Sequence, residues 1–170
     1  VKTGKISKYN VGDTKEINLT NFGTHTVRIS NMSECTNGET SETACGFVVE
    51  FVDIVTTQPF NSTNTNVGGW KNSSIRTYIN GTLYNSLPSE LQNAITSTKV
   101  ISGHGSTSGE TNFETQDKVY LISSKELYGT ATVKDTLNIE TKQLDYYKNK
   151  GVALLKYTEA IKKYNLQDIN

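Results

Sequence analysis

The sequence predicts an α+β domain: a mixed or antiparallel sheet with two short helices and a helical C-terminal region. Three observations predict it. β-branched residues alternate with polar ones near the N-terminus, the run GFVVEFVDIV over 46–55 is the most apolar in the chain, and apolar residues recur at helical spacing between Ser73 and Ser97. A chain of 170 residues, 34% hydrophobic and 20% charged, is long enough to bury one core, so a single domain over 1–170 is expected.

The elements follow in order. GDTKEINL and THTVRIS read as opening strands joined in a hairpin around TNFG, because Thr26, Arg28 and Ser30 alternate with His25, Val27 and Ile29. In the apolar run both faces carry bulk: Phe47, Val49 and Phe51 on one, Val48, Val52 and Ile54 on the other. That pattern predicts a central strand shielded above and below, with the sheet centred on 46–55. The polar loop TTQPFNSTNTNVGG comes next and ends at Trp70; loops of such length often carry function.

Ile75, Tyr78, Ile79 and Leu83 predict the first helix, capped by Asn72 or Ser73 and frayed or ended by Gly81. The second begins at LPSELQNAI with Pro88 at its first position, and its buried stripe is Leu87, Leu91, Ala94 and Ile95. KVIS and DKVYLI read as strands on either side of the glycine-rich GHGSTSGETNFET. The latter strand runs into SSKEL, where Ser123 and Glu126 fit a capping box. Leu137 to Asn170 reads as helical, with TKQLDYYKNK as a turn or helix before Gly151 and a stripe of Tyr157, Ala160, Ile161 and Tyr164 beyond it.

Lysine plus arginine balances aspartate plus glutamate, 17 against 17, so no global field would gather nucleic acid. No apolar run reaches the roughly 20 residues of a spanning helix, and VKTGKISKYN lacks the apolar core of a signal peptide. No nucleic-acid partner, no membrane insertion and no cofactor are therefore expected. Abundant Asn, Thr, Ser and Tyr with a single Met suit an extracellular or cell-surface setting. In CTNGETSETAC a disulfide between Cys35 and Cys45 would close a loop that cannot pack, worth about 2–3 kcal/mol by chain entropy. The alternative leaves two thiols, one buried beside Phe47. Zinc is not expected, because His25 and His104 lie in separate segments without ligand spacing.

THTVRISN, TACGFVVEF, GGWKNSSIRTYINGTLYNSLPSELQNAI, DKVYLISSKEL and QLDYYKNKGV with YTEAIKKYN together resemble, in order and spacing, the domain of unknown function numbered six-two-seven-three. The resemblance covers almost the whole chain. It implies a module of large surface or secreted proteins of Gram-positive bacteria. A more distant likeness is to the C-type-lectin fold in its sulfatase-modifying-factor variant, in which VYLISSKEL would be the strand-to-helix signature and Glu126 a residue tying helix to loop. Members of the family typically continue past AIKKYN into closing strands, whereas this sequence stops at LQDIN. The resemblance then implies an incomplete lectin-like fold, or a complementing C-terminal strand segment supplied by another polypeptide.

Two residues stand out as ligand-binding candidates. Trp70 could stack on a sugar face, and Arg76 could hold a carboxylate bidentately; the competing reading makes the indole a buried anchor and pairs Arg76 with Asp53, Glu126 or a helix C-terminus. No catalytic constellation is recognisable. His104 in SGHGS has serines nearby but no third orienting group, and reads as an exposed turn histidine. The nine tyrosines offer rigid contact area or amphipathic packing. The expected function is a non-catalytic extracellular binding or adhesion module for a glycan, peptide or surface protein; a structural spacer and an enzyme with an unrecognised site are the alternatives.

Overall fold

The computed structural model describes residues 8–104, 109, 111–130 and 140–153. β1 (Thr14–Leu19) and β2 (Gly23–Asn31) form the predicted antiparallel hairpin, with Ile17 opposite His25. Its turn places Asn21 at φ 69°, a left-handed conformation that asparagine tolerates better than most residues. β2 also pairs antiparallel with β3 (Val48–Phe51), and a bulge between Ile29 and Asn31 shifts the register. A second antiparallel pair joins β4 (Thr98–Ser102) to β5 (Phe113–Asp117). The chain is α+β, with antiparallel pairing in both sheets.

The run 46–55 is not the shielded centre that its composition predicts. Among the described residues the middle strand is β2, and only four residues of the run are strand. None of those four is fully buried, and Val49 and the preceding Phe47 are 39% and 38% exposed. Pairing decides which strand is central, and apolar bulk on both faces does not report pairing. After Phe51 the chain leaves the ladder, with the Val52 N–H still donating to the Thr26 carbonyl.

DKVYLI is likewise not the strand. The strand lies earlier, at FETQD, where Thr98 faces Asp117 and Ser102 faces Phe113. Its inward residues, Thr115 and Asp117, are polar, so hydropathy points past them. Beyond Asp117 the Asn80 side chain replaces a strand partner: Oδ1 accepts the Lys118 and Val119 N–H groups at 2.9 and 3.1 Å, and Nδ2 donates to the Val119 carbonyl at 2.8 Å.

Helices α1 (Gly69–Asn72) and α2 (Ser74–Tyr78) meet at Ser73, whose hydroxyl accepts the Arg76 N–H as an N-cap. Gly81 does not end the helix. The chain passes through it in a π turn (Ile79–Leu83) and continues as α3 (Tyr84–Ser86). The π turn also contains Asn80, the residue that caps the end of β5. Pro88 is the N-cap of α4 (Ser89–Ala94) rather than its first helical residue, and Ala94 is exposed, so the stripe narrows to Leu87, Leu91 and Ile95.

Ile17, Leu19, Trp70, Ile79, Leu83, Leu87 and Val100 form the main core. A second, smaller core of Ala44, Leu144 and Tyr147 lies beneath α5 (Ser124–Tyr128) and α6 (Asp145–Asn149), joined by half-buried Val48, Ile122 and Leu127. The capping box at Ser123 is formed in both directions, and Gly129, at φ 76°, closes α5 in the left-handed conformation open to glycine. Within the predicted C-terminal helical region, residues 140–153 are described, and of these only α6 is helix. Residues 137–139 and the Tyr157, Ala160, Ile161 and Tyr164 stripe lie outside the described residues.

Candidate functional site

The segment around Trp70 is built by glycine. Gly68 and Gly69 have φ of 78° and 50°, and a Cβ on Gly69 would lie 2.9 Å from the Phe113 ring and 3.1 Å from the Gly103 carbonyl oxygen. Glycine there allows α1 to start directly against the second sheet. The indole that follows enters the core at 8% exposure, and its Nε1 donates to Asp117 Oδ2 at 2.8 Å.

Asp117 organises the cluster. It is 2% exposed, accepts the Thr115 hydroxyl at 2.6 Å on the same oxygen as the indole, and accepts Arg76 Nε at 2.8 Å on the other. Arg76 also donates from Nη1 to the Lys71 carbonyl at 3.1 Å. Trp70 and Arg76 are thus brought together on one carboxylate, which belongs to neither Asp53 nor Glu126. Asp53 instead faces His25, with Oδ2 3.1 Å from Nδ1. Sequence reasoning missed Asp117: it lies 47 residues from Trp70, and nothing local to FETQD marks it as buried.

Beneath the indole lies a cavity of about 180 Å³, lined in part by Thr43, Ser102, Tyr120, Glu126 and Thr141. Glu126 is 2% exposed. Burial raises its carboxyl above the ordinary glutamate range, opposed by hydrogen bonds from Thr43, Ser123 and Thr141. The Ser123 N–H reaches Oε2 at 2.7 Å, and the two threonine hydroxyls are 3.0 Å apart. Burial likewise pushes the Tyr120 phenol well above its usual value, and its hydroxyl donates to the Thr43 carbonyl at 2.9 Å. A buried carboxyl, two threonines and a phenol are linked by hydrogen bonds here, an arrangement that ties α5 to the 40–46 loop.

His104, expected in an exposed turn, is half-buried, and its Nδ1 and the Ser102 hydroxyl are enclosed without a hydrogen-bond partner among the described residues. A second polar cluster binds α6 to the first sheet. Arg28 donates to Glu50 Oε1 from Nε at 3.1 Å and from Nη2 at 2.7 Å, and its guanidinium carbon stands 3.7 Å from the centroid of the Tyr146 ring. The Tyr147 hydroxyl donates to Glu50 Oε2 at 2.8 Å. Among the described residues no three His, Cys, Asp or Glu side chains converge as metal ligands, and no helix is long and apolar enough to cross a membrane.

Cys35 and Cys45 form the disulfide, with Cα atoms 5.0 Å apart. The closed loop carries Ser41, Glu42 and Thr43, and it docks on β4: the Glu42 N–H donates to the Lys99 carbonyl at 2.8 Å and Ser41 Oγ accepts the Ile101 N–H at 3.1 Å. The cross-link therefore anchors one wall of the Glu126 cavity.

Residues 48–168 match the profile of the family described as Domain of unknown function (DUF6273). The chain belongs to that family. The matched region contains β3, both helical segments, the second sheet, the capping box and α6, so the Trp70, Asp117 and Arg76 cluster lies wholly within the DUF6273 region. The β1–β2 hairpin and the disulfide loop precede it. No curated protein and no solved structure matches the chain.

Proposed function

We propose that this DUF6273 chain is a non-catalytic extracellular binding or adhesion module whose contact surface is the loop between β3 and α1. The observation that carries the reading is how that loop is held. The Ile75 N–H donates to the Phe60 carbonyl at 3.1 Å, Asn61 Oδ1 accepts the Ser74 N–H at 3.0 Å, and Asn61 Nδ2 donates to the Thr65 carbonyl at 2.7 Å. A loop fixed in this way presents Phe60 and Val67, 40% and 61% exposed, among Asn, Ser and Thr side chains. An aromatic face flanked by amides and hydroxyls is the chemistry that recognises sugars, since a ring covers the apolar face of a pyranose while the polar groups take its hydroxyls.

Several features support the reading. The disulfide is compatible with an oxidising, extracellular or cell-surface location. The buried carboxylates Asp117 and Glu126 are bonded within the fold. The ligand is a glycan, with a peptide or neighbouring surface protein, including a complementing strand segment, as the other partner classes. A glycan array probed with the wild-type domain and with Phe60→Ala tests it. Binding by the wild type that falls at least tenfold in the variant, with an unchanged thermal midpoint, is expected. Binding that survives Phe60→Ala places the surface elsewhere, and absence of binding to glycans and to surface extracts would favour the spacer.

A further inference from the structure

We propose that Lys142 and Asn31 are the two halves of an intramolecular isopeptide cross-link, a self-modification independent of what the Phe60 loop binds. The two residues are 111 apart in sequence, yet Lys142 Nζ lies 3.1 Å from Asn31 Oδ1. Asn31 follows the β-bulge that ends β2 and is fully buried. Its amide cannot turn, because Nδ2 donates to the Ser33 carbonyl at 2.9 Å and the Gly46 carbonyl at 2.7 Å. Its carbonyl oxygen also accepts the Asp145 N–H at 3.2 Å. The electrophile is therefore fixed, and a backbone N–H already points at the atom on which negative charge would develop.

The nucleophile is placed with equal care. Lys142 Nζ sits 2.7 Å from Ser33 Oγ, and Ser33 Oγ sits 2.6 Å from Asp145 Oδ1, so amine, hydroxyl and carboxylate form a chain. Asp145 Oδ1 is itself 3.9 Å from Nζ. Burial holds the Lys142 ammonium below the ordinary lysine range, against the pull of Asp145 and Glu39, which enlarges the share of free amine. Holding amine and amide at contact replaces a bimolecular encounter with an effectively unimolecular one.

The step balances without an oxidant or co-reactant. The free amine of Lys142 adds to Asn31 Cγ and a C–N bond forms, while the Asp145 N–H holds the charge on Oδ1. The proton that Nζ sheds passes through Ser33 Oγ to the Asp145 carboxylate. The Cγ–Nδ2 bond then breaks, and Nδ2 takes up that proton and leaves as ammonia. The product is a secondary amide joining the end of β2 to the segment before α6, which would tie the first sheet covalently to the second core.

Intact-mass measurement of the whole chain, after reduction of the Cys35–Cys45 bond, tests the proposal. The expected result is a mass below that of the sequence by one ammonia, with a branched proteolytic fragment joining the Asn31 and Lys142 peptides. Lys142→Arg keeps a cation for Asn31 Oδ1 and Ser33 but supplies no free amine, so this variant should show the full sequence mass and no branched fragment. A wild-type chain of full sequence mass would leave the contact as a hydrogen-bonded clamp and overturn the cross-link. Loss of ammonia without the branched fragment, or with it retained in Lys142→Arg, would overturn it equally.

Discussion

Arg76→Ala removes one ligand of Asp117 and leaves the rest of the cluster in place. The carboxylate side chain is 1% exposed and the Arg76 side chain 29%, so the arginine can return to water but the aspartate cannot. Breaking a buried ion pair from one side costs about 3–5 kcal/mol; water reaching the vacated arginine position lowers that to about 2–3 kcal/mol here. Trp70 Nε1 and Thr115 Oγ1 remain on Oδ2, so part of the charge stays solvated by the protein. Against a total stability of about 5–15 kcal/mol, the loss is readily measured by urea unfolding as a lower midpoint at constant slope. The double variant Arg76→Ala with Asp117→Asn discriminates the cause. If an uncompensated anion is the penalty, the amide relieves it, and the double variant is less destabilised than the sum of the singles by at least about 1 kcal/mol. Additive effects, or a single-variant loss below about 0.5 kcal/mol, would refute the argument that Asp117 depends on Arg76.

Three further outcomes follow from the same geometry. Burial pushes the Asp145 carboxyl up, but hydrogen bonds from Ser33 Oγ and from the Met32 and Ser33 N–H groups outweigh it and hold the carboxyl below the ordinary range. A depressed folded value means stability that is present above the unfolded carboxylate range and lost as pH falls through the folded one, so Asp145→Asn should flatten the acid limb of a melting-temperature profile. Glu126 has the opposite sign: the fold favours the neutral acid, so ionisation opposes folding as pH rises. Glu126→Gln retains the capping acceptor and should match or exceed the wild type in thermal midpoint at pH 7, whereas a marked loss there would show that the charge is needed. Removing the disulfide through Cys35→Ser and Cys45→Ser should cost about 2–3 kcal/mol, or roughly 5–10 °C in midpoint, and should speed hydrogen exchange at the Ile101 amide, which Ser41 holds.

The parts of the fold legible in the sequence are those whose signal is local. The β1–β2 hairpin could be read because alternation and a turn residue lie within eighteen positions, and the Ser123 capping box because both bonds close within one turn. The α+β class follows from these and from the helical stripe ending at Leu83. The errors share one cause. Hydropathy assigns centrality to the run 46–55 and strand to DKVYLI because both are apolar, yet several strand ends and edges in this fold are completed by polar side chains. Asn31 kinks and ends β2, Asn80 finishes β5, and Ser41 with Glu42 caps β4. Trp70 and Arg76 could be singled out by rarity and position, but their shared partner Asp117 could not, since a lone aspartate in FETQD carries no local mark of burial.

Mean hydropathy is −0.49, low for a chain that must bury a core from short elements, and the structure shows where the polar excess goes. Ser30, Asn31, Ser41, Thr43, Ser73, Thr115, Asp117, Glu126 and Thr141 are all buried. Asn31 and Glu126 take up backbone or helix-end hydrogen bonds that longer strands and helices would have made for themselves, and Asp117 gathers Trp70, Thr115 and Arg76 onto one carboxylate. Residues with the chemistry of a reactive site are thereby committed to holding strand ends, caps and loops together, and substituting them changes stability before it changes recognition. On the proposed reading, groups that face water on an ordered frame, such as Phe60 and Val67, are the ones whose removal would alter binding without altering the fold, and a binding screen built on loop variants would separate the two effects where one built on Trp70 would not.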